Sequence, residues 1–414
     1  MFQKIFNFAD RYTRKKHSME NMKEISTLLA AIFLSLFCHI LAAQDNPYML
    51  LAGKTYAEYS QQMHSEYLKF NYLDTVEARK VVRQIEEVAR QTGNMEWKLR
   101  ADRMELELYI RKNGLYGKEQ FPEEKILQTE LALLEKAKKE NLPIMELEFR
   151  LMIFSFYWHR LKNYELAFEQ TNLMDEQLQK IATEDFPMKA VYYASIAEAH
   201  YHFKDYPRAI YFFGKILEEQ ESTFNQPPQQ RARNGMGLCY LHAFNDLDRS
   251  DSCFRAIMQV DYLLPEEARF RDLWNGIAEG NLGYNMLRRE AYDEAIPLLK
   301  SSMENVLKFD DYGFASGPAL NLADIYLKTN NLSEAKRYLD LAMDYNRRMP
   351  REGRPARIYT LLSKYCAATG NPTLSMAYAD SMAAAYKKDE AQFNALQLMR
   401  VEQRKTPRLM KPIF

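Results

Sequence analysis

Ser316-Gly-Pro-Ala-Leu-Asn-Leu-Ala-Asp-Ile-Tyr-Leu-Lys-Thr-Asn-Asn-Leu-Ser-Glu-Ala-Lys-Arg-Tyr-Leu-Asp-Leu-Ala-Met343 is the stretch whose reading decides the fold. Two helical patterns flank Asn330-Asn331, with Leu320, Ala323 and Leu327 on the first and Ala335, Leu339 and Ala342 on the second. Spacings of three, four and seven put each set on one helix face. Small Ala323 and Ala335 let the two backbones approach closely, and Tyr326 and Leu339 are expected to fill the seam. Asn331 is placed to accept from the free N–H groups that open the second helix, with Glu334 three residues on as in a capping box. The stretch reads as a hairpin of two antiparallel helices.

The hairpin recurs. Aligned on the small residue that opens each second helix, the anchors are Ala167, Ala209, Ser250, Ala295, Ala335 and Ser375, separated by 42, 41, 45, 40 and 40 residues. A steady period in this range means stacked supersecondary units. Asn163-Tyr-Glu-Leu-Ala167, Asp205-Tyr-Pro-Arg-Ala209 and Ala291-Tyr-Asp-Glu-Ala295 lead into second helices. Leu282-Gly283 stands in the middle of a first helix, with Ile196-Ala197, Leu322-Ala323 and Leu362-Ser363 as variants. The unit from Asn234 to Ile257 has one extra residue before Ser250, and the last unit turns at Gly370-Asn371-Pro372. Together these features resemble the tetratricopeptide repeat (TPR) family over residues 144–386, with a period longer than the family's usual length of about 34. The resemblance implies an all-α fold, a right-handed superhelical solenoid of antiparallel helix hairpins.

Upstream, Tyr56, Tyr59, Met63 and Tyr67 mark one helix, and Asp74–Gln91 and Asn94–Lys112 form a pair around Thr92-Gly93. Glu123–Glu140 is a further helix, stopped by Asn141-Leu142-Pro143. The expected division is a leader at 1–43, degenerate hairpins at 44–143, the repeat array at 144–386, and a polar helix and tail at 387–414. In the leader, Met22-Lys-Glu-Ile-Ser26 precedes the apolar run Thr27–Leu41, which exits through Ala42-Ala43-Gln44. A basic start, a short apolar core and a small-residue exit fit a secretory signal peptide, with Met22 as the alternative start, and imply an exported, periplasmic protein. The other reading is an uncleaved inner-membrane anchor through residues 27–43, with Arg11, Arg14, Lys15 and Lys16 on the inner side.

Lys+Arg and Asp+Glu both total 56 in a chain of 414 residues, which excludes a chain-wide attraction to nucleic acid. Gly and Pro are scarce at 14 and 15, as expected of an all-α chain. Beyond the leader only Cys239, Cys253 and Cys366 remain, which do not make a disulfide framework; they are expected as small buried hydrophobes, the alternative being a bridge between Cys239 and Cys253 on opposite helices of one hairpin.

No constellation for catalysis stands out. A zinc protease would carry two His four apart with a Glu between; His200 and His202 are two apart and point in different directions on a helix. His200 is expected as a packed core histidine. Gly235-Met-Gly237 lacks the Lys and further glycines of a phosphate loop, and no Gly-x-Ser-x-Gly elbow occurs. The expectation is a non-enzymatic chain with no cofactor, no metal and no catalytic residue.

What remains is binding. The resemblance implies ligand slots on the concave face of the first helices: Phe149, Met152, Phe156 and His159, then Glu198 and Tyr201, then Asn234, Tyr284, Asp324 and Lys364. The basic-and-Asn clamp with which some family members hold a peptide carboxylate is not reproduced at these slots. A groove of aromatics and mixed polar groups suits an extended peptide or a helix, so a protein or peptide partner is expected. Terminal hairpins with exposed apolar surface are compatible with a homodimer. A signal peptide, hairpins and the polar helix Lys387–Lys405 also resemble the periplasmic sensor half of Bacteroidetes TPR regulators. That resemblance implies, as the alternative, the ligand-sensing part of a truncated or split histidine kinase or transcriptional regulator.

Overall fold

A computed structural model of the chain describes residues 46–70, 73–113, 122–219, 227–261, 268 and 270–392. The leader read at residues 1–43 and the tail after residue 392 lie outside the described residues. Sixteen α-helices and no strand occur among the described residues. They are α1 (Tyr56–Phe70), α2 (Thr75–Thr92), α3 (Met95–Asn113), α4 (Glu123–Lys139), α5 (Pro143–Ser155), α6 (Tyr164–Leu178), α7 (Lys189–His202) and α8 (Tyr206–Glu218). After them come α9 (Pro227–Phe244), α10 (Leu247–Ile257), α11 (Arg271–Arg288), α12 (Tyr292–Leu307), α13 (Tyr312–Lys328), α14 (Leu332–Arg348), α15 (Arg354–Ala368) and α16 (Pro372–Gln392). No described helix is long and apolar enough to cross a membrane.

The described residues fall into two compact units. One takes those of Met1–Lys54 with Asp74–Lys112; the other takes those of Thr55–Leu73 with Asn113–Phe414. In the first, α2 and α3 form the expected pair. Asp74 accepts from the Val76 and Glu77 N–H groups at 2.8 and 3.0 Å, and α2 ends at Gly93 with φ 66°. A short 3-10 segment, Pro47–Leu50, is tied to α2 by Asn46 Nδ2 donating to the Gln84 carbonyl at 2.7 Å. The helix α1 belongs to the second unit, where Tyr56 packs on Phe186 with centroids 5.4 Å apart.

In the second unit each hairpin of the array closes on one backbone device. The residue before the N-cap of each second helix is left-handed: Lys162, Lys204, Asn245, Glu290, Asn330 and Gly370 have φ between 52° and 74°. A non-glycine residue there costs roughly 1–2 kcal/mol, and a side-chain cap offsets it at every such turn except Glu290, which is followed by Ala291. Asn163, Asp205, Asp246, Asn331 and Asn371 each accept the N–H three residues on, at 3.2, 3.4, 2.9, 3.2 and 3.1 Å. The capping residue's own N–H returns to the carbonyl five back, as in Asn331 to Tyr326 and Asn371 to Cys366, both 2.8 Å. In the third hairpin Asp246 reaches six back, to Tyr240 at 3.0 Å; this wider turn absorbs the extra residue before Ser250. The first hairpin does the same, Asn163 to Tyr157 at 3.0 Å, because its first helix ends in the π-helical turn Phe156–Leu161. The capping box forms by half only. Glu334 gives its N–H to Asn331, but its carboxylate takes Arg337 at 2.7 Å, because the Asn331 N–H is already bound to Tyr326.

The anchors sit where the seam is tightest. Ala167, Ala209, Ser250, Ala295 and Ala335 have no exposed surface. The third is Ser because its hydroxyl accepts from the buried Asn285 amide of α11 at 3.0 Å. Leu282-Gly283 meets the same demand from the first helix: a Cβ at Gly283 would stand 2.7 Å from Leu299 Cγ. Tyr326 stacks on Tyr338 at 5.6 Å and 10°, while Leu320, Ala323, Leu339 and Ala342 are wholly buried. His200 is buried, its Nδ1 3.1 Å from Asp205 Oδ2 and its ring stacked on Phe212 at 5.5 Å. Burial raises the Asp205 pKa, and the bond to His200 together with the His200 and Arg208 charges brings it below the usual carboxylate range. All three described cysteines are free; Cys239 and Cys366 are buried, Cys253 only half so.

Successive first helices touch each other, α7 with α9, α11 with α13 and α13 with α15, whereas contacts between successive second helices are sparser. The first helices therefore crowd onto the inner face of the array. This is a TPR-like helical solenoid.

Candidate functional site

The inner face gathers into a cavity of about 400 Å³. Its walls come from α7 (Tyr201), α9 (Asn234, Leu238, Leu241, His242), α11 (Ile277, Gly280, Asn281, Tyr284) and α13 (Phe314, Gly317, Pro318, Asn321). Ser302 and Val306 of α12 contribute, and Glu352, Gly353, Arg354 and Arg357 close it from the α14–α15 connection and the start of α15. A volume of this size accommodates a small ligand or a few residues of a peptide.

Three amides stand on three consecutive first helices. Asn281 donates to Asn234 Oδ1 at 2.8 Å, and Asn321 Oδ1 accepts from Arg357 at 2.7 Å. Tyr284 lies between two guanidiniums, Arg357 at 5.6 Å and Arg288 at 6.0 Å from its ring centroid. Burial, then the neighbouring Tyr206, push the Tyr201 hydroxyl well above its ordinary pKa, so it stays a neutral donor. Beside the cavity Glu198 of α7 takes Arg231 of α9 in a two-pronged pair, Nε to Oε1 at 2.8 Å. Burial would raise the Glu198 pKa, and Arg231 brings it below the ordinary carboxylate value. Lys162, in the first turn of the array, lies 3.8 Å from Glu352 on the far connection. His159, His202 and His242 are all held below the ordinary imidazole pKa, first by desolvation and then by nearby cations for His159 and His242. They are therefore neutral at pH 7.

Of the residues implied by the sequence, Tyr201, Asn234 and Tyr284 meet at this cavity. Glu198 flanks it through Arg231. Met152 is half-buried and His159 exposed. Phe149 is wholly buried and Phe156 nearly so, at 8 % exposure, so both are core rather than surface, because α5 and the π-helical turn that ends it face that stripe inward. Asp324 and Lys364 face each other 3.9 Å apart, outside the cavity lining. Sequence reasoning did not single out Asn281, Asn321, Arg354 or Arg357. One signal was legible: Arg351, Arg354 and Arg357 open a helix, where the dipole disfavours cations. Among the described residues no group of three or more His, Cys, Asp or Glu is arranged to hold a metal ion.

No family model matches the sequence, and no curated protein does. Solved structures match the fold. A Rap protein complexed with Competence and Sporulation Factor is 14% identical with a TM-score of 0.54, over 84% of this chain and 96% of that one. The apo form of the quorum sensor NprR from B. thuringiensis is 14% identical with a TM-score of 0.52, over 84% and 99%. A signal transduction ATPase with numerous domains and a tetratricopeptide repeat sensor, from Pyrococcus horikoshii, is 16% identical with a TM-score of 0.53. That match spans 95% of this chain and 56% of that one. At these identities the likeness establishes the fold.

Proposed function

We propose that the chain is a non-enzymatic binding scaffold that holds a protein or peptide segment in the cavity of its first helices. The observation that carries this is the lining: rings of Tyr201, Tyr284 and Phe314 stand beside amides of Asn234, Asn281 and Asn321. Rings supply contact area, and amides exchange hydrogen bonds with the main chain that any extended peptide offers. Rigid, mutually packed first helices keep the lining preformed, which limits the ordering cost of binding. A Rap protein of this fold was solved with Competence and Sporulation Factor, which accords with a ligand-holding role. Among the slots named from the sequence, Tyr201, Asn234 and Tyr284 are the contact residues in this reading; Met152, His159 and Glu198 flank them.

The basic start and apolar run at residues 22–43 support export to a periplasm, with anchoring through residues 27–43 as the other outcome of that segment. The second reading, a ligand-sensing part of a TPR regulator, uses the same cavity. It is favoured by α16, whose exposed apolar side chains Leu374, Met376 and Tyr386 are open to a further element or a second copy. The test is to pass a peptide extract of the source over the immobilised full chain and sequence what elutes by mass spectrometry. A restricted peptide set, lost with the double change Asn281→Ala and Tyr284→Ala, is the expected result. Equal recovery on both proteins would sink the scaffold reading.

A further inference from the structure

The wall shared by α13 and α15 concentrates positive charge beyond what its own partners balance. Arg351 reaches Asp311 at 3.5 Å, and Arg357 donates to the neutral Asn321 at 2.7 Å. Arg354 stands between them in sequence, and its guanidinium makes no hydrogen bond or ion pair with any described residue. Its Nε is enclosed and unpartnered. The acid in the cavity lining, Glu352, lies against Lys162 instead. Burial, then Arg357, then Arg351 push Arg354 down to about 9. A guanidinium does not give up its proton in a protein, so the charge stays, and a counter-anion is what would relieve it.

The backbone opposite is shaped for these guanidiniums. A Cβ at Gly317 would stand 2.6 Å from Arg354 Nη2, 3.1 Å from Cζ and 3.2 Å from Nη1. One turn earlier, a Cβ at Gly313 would stand 2.5 Å from Arg351 Nε. Glycine inside a helix is destabilising relative to alanine, so two such seats one turn apart are a feature that helix stability alone does not favour. The fork of a guanidinium matches the two oxygens of a carboxylate.

We propose that Arg354, seated on Gly317 and flanked by Arg351 and Arg357, is an anion site in the cavity wall, and that it takes a carboxylate carried by a bound peptide. The peptide source rests on the scaffold reading above; the anion site does not.

The experiment uses the full chain and two labelled random hexapeptide pools, read by fluorescence anisotropy. One pool has a fixed Glu and a free C-terminus; the other has Gln there and an amidated C-terminus. The acidic pool is expected to bind about tenfold more tightly, the scale of one charge-assisted pair. Arg354→Met is expected to abolish that preference, and Arg354→Lys, which keeps charge but loses the fork, to reduce it. Arg354→Met is also expected to unfold at the same or a higher temperature than the parent without ligand. A residue of purely structural role would lower it. Equal binding of the two pools, or a preference that survives in Arg354→Met, overturns the anion site and leaves peptide binding standing. If neither pool binds, the melting temperature in citrate against chloride at equal ionic strength decides. A rise in the parent that is missing from Arg354→Met keeps the anion site and removes its peptide source; no difference between the two proteins overturns the site.

Discussion

The hairpin α13–α14 and the hairpin α15–α16 carry the same repeat and the same turn, yet they bury it differently. In the former, Leu320, Ala323, Ala335, Leu339 and Ala342 have no exposed surface. In the latter, Leu361, Leu362 and Cys366 are buried, but Leu374 is 42%, Met376 70% and Tyr386 52% exposed. Ser375, the counterpart of Ala335, is only half-buried and trades hydrogen bonds with Ser363, its Oγ 2.9 Å from the Ser363 carbonyl. Among the described residues the first has a neighbouring hairpin on each side and the second on one. In a stacked array burial is a property of position in the stack, and the local pattern decides only which residues are available to be buried.

The comparison can be broken most directly at Leu339. Leu339→Ala should destabilise by about 2–5 kcal/mol in urea unfolding, because the cavity it leaves has packed walls on both sides. The tight seam is tested by Gly283→Ala, whose Cβ would press on Leu299; a loss of about 1–3 kcal/mol is expected. Capping sharpens the contrast, because it is local. Asn331→Ala and Asn371→Ala should each weaken their own second helix by about 1 kcal/mol, read as equal increases in amide hydrogen exchange of α14 and α16. Unequal increases would mean that stack position reaches into the turn. Met376→Ala should change stability by about 0.5 kcal/mol or less, since its side chain touches water.

The smallest effect concerns pH. His159, His202 and His242 have folded pKa values below their unfolded ones, so the unfolded chain binds more protons as pH falls through the usual imidazole value. Stability therefore declines as pH falls from about 7.5 to 5.5, a range spanning the unfolded imidazole pKa. As whole residues all three are surface-exposed, so the decline is shallow. Melting temperatures across that range should flatten in the triple change His159→Gln, His202→Gln and His242→Gln. An unchanged slope would show that other groups carry it.

Much of the fold was legible because its rules are short-range. The left-handed turn residue, the Asn or Asp cap and the small anchor lie within six residues of one another, and each works through backbone groups close by in sequence. Even the longer spacing before Ser250 was visible, although the six-residue closure that absorbs it was not. The site was legible in part. Tyr201, Asn234 and Tyr284 reach the cavity, but the stripe containing Phe149 and Phe156 turns into the core at a helix that ends in a π-helical turn. No basic-and-Asn pair stands at the slots implied by resemblance. The structure forms one elsewhere, Arg357 with Asn321, between two hairpins.

By itself the sequence determined the helices, their turns and their stacking period, since side-chain spacing and capping act within a single hairpin. Only the tertiary structure decided which inward residues line a cavity, and that Arg354 has no counter-charge among the described residues. Its surroundings come from Gly317 on one helix, Arg357 on another and Arg351 on the connection before it, and electrostatic balance depends on distances through space that a linear pattern does not carry.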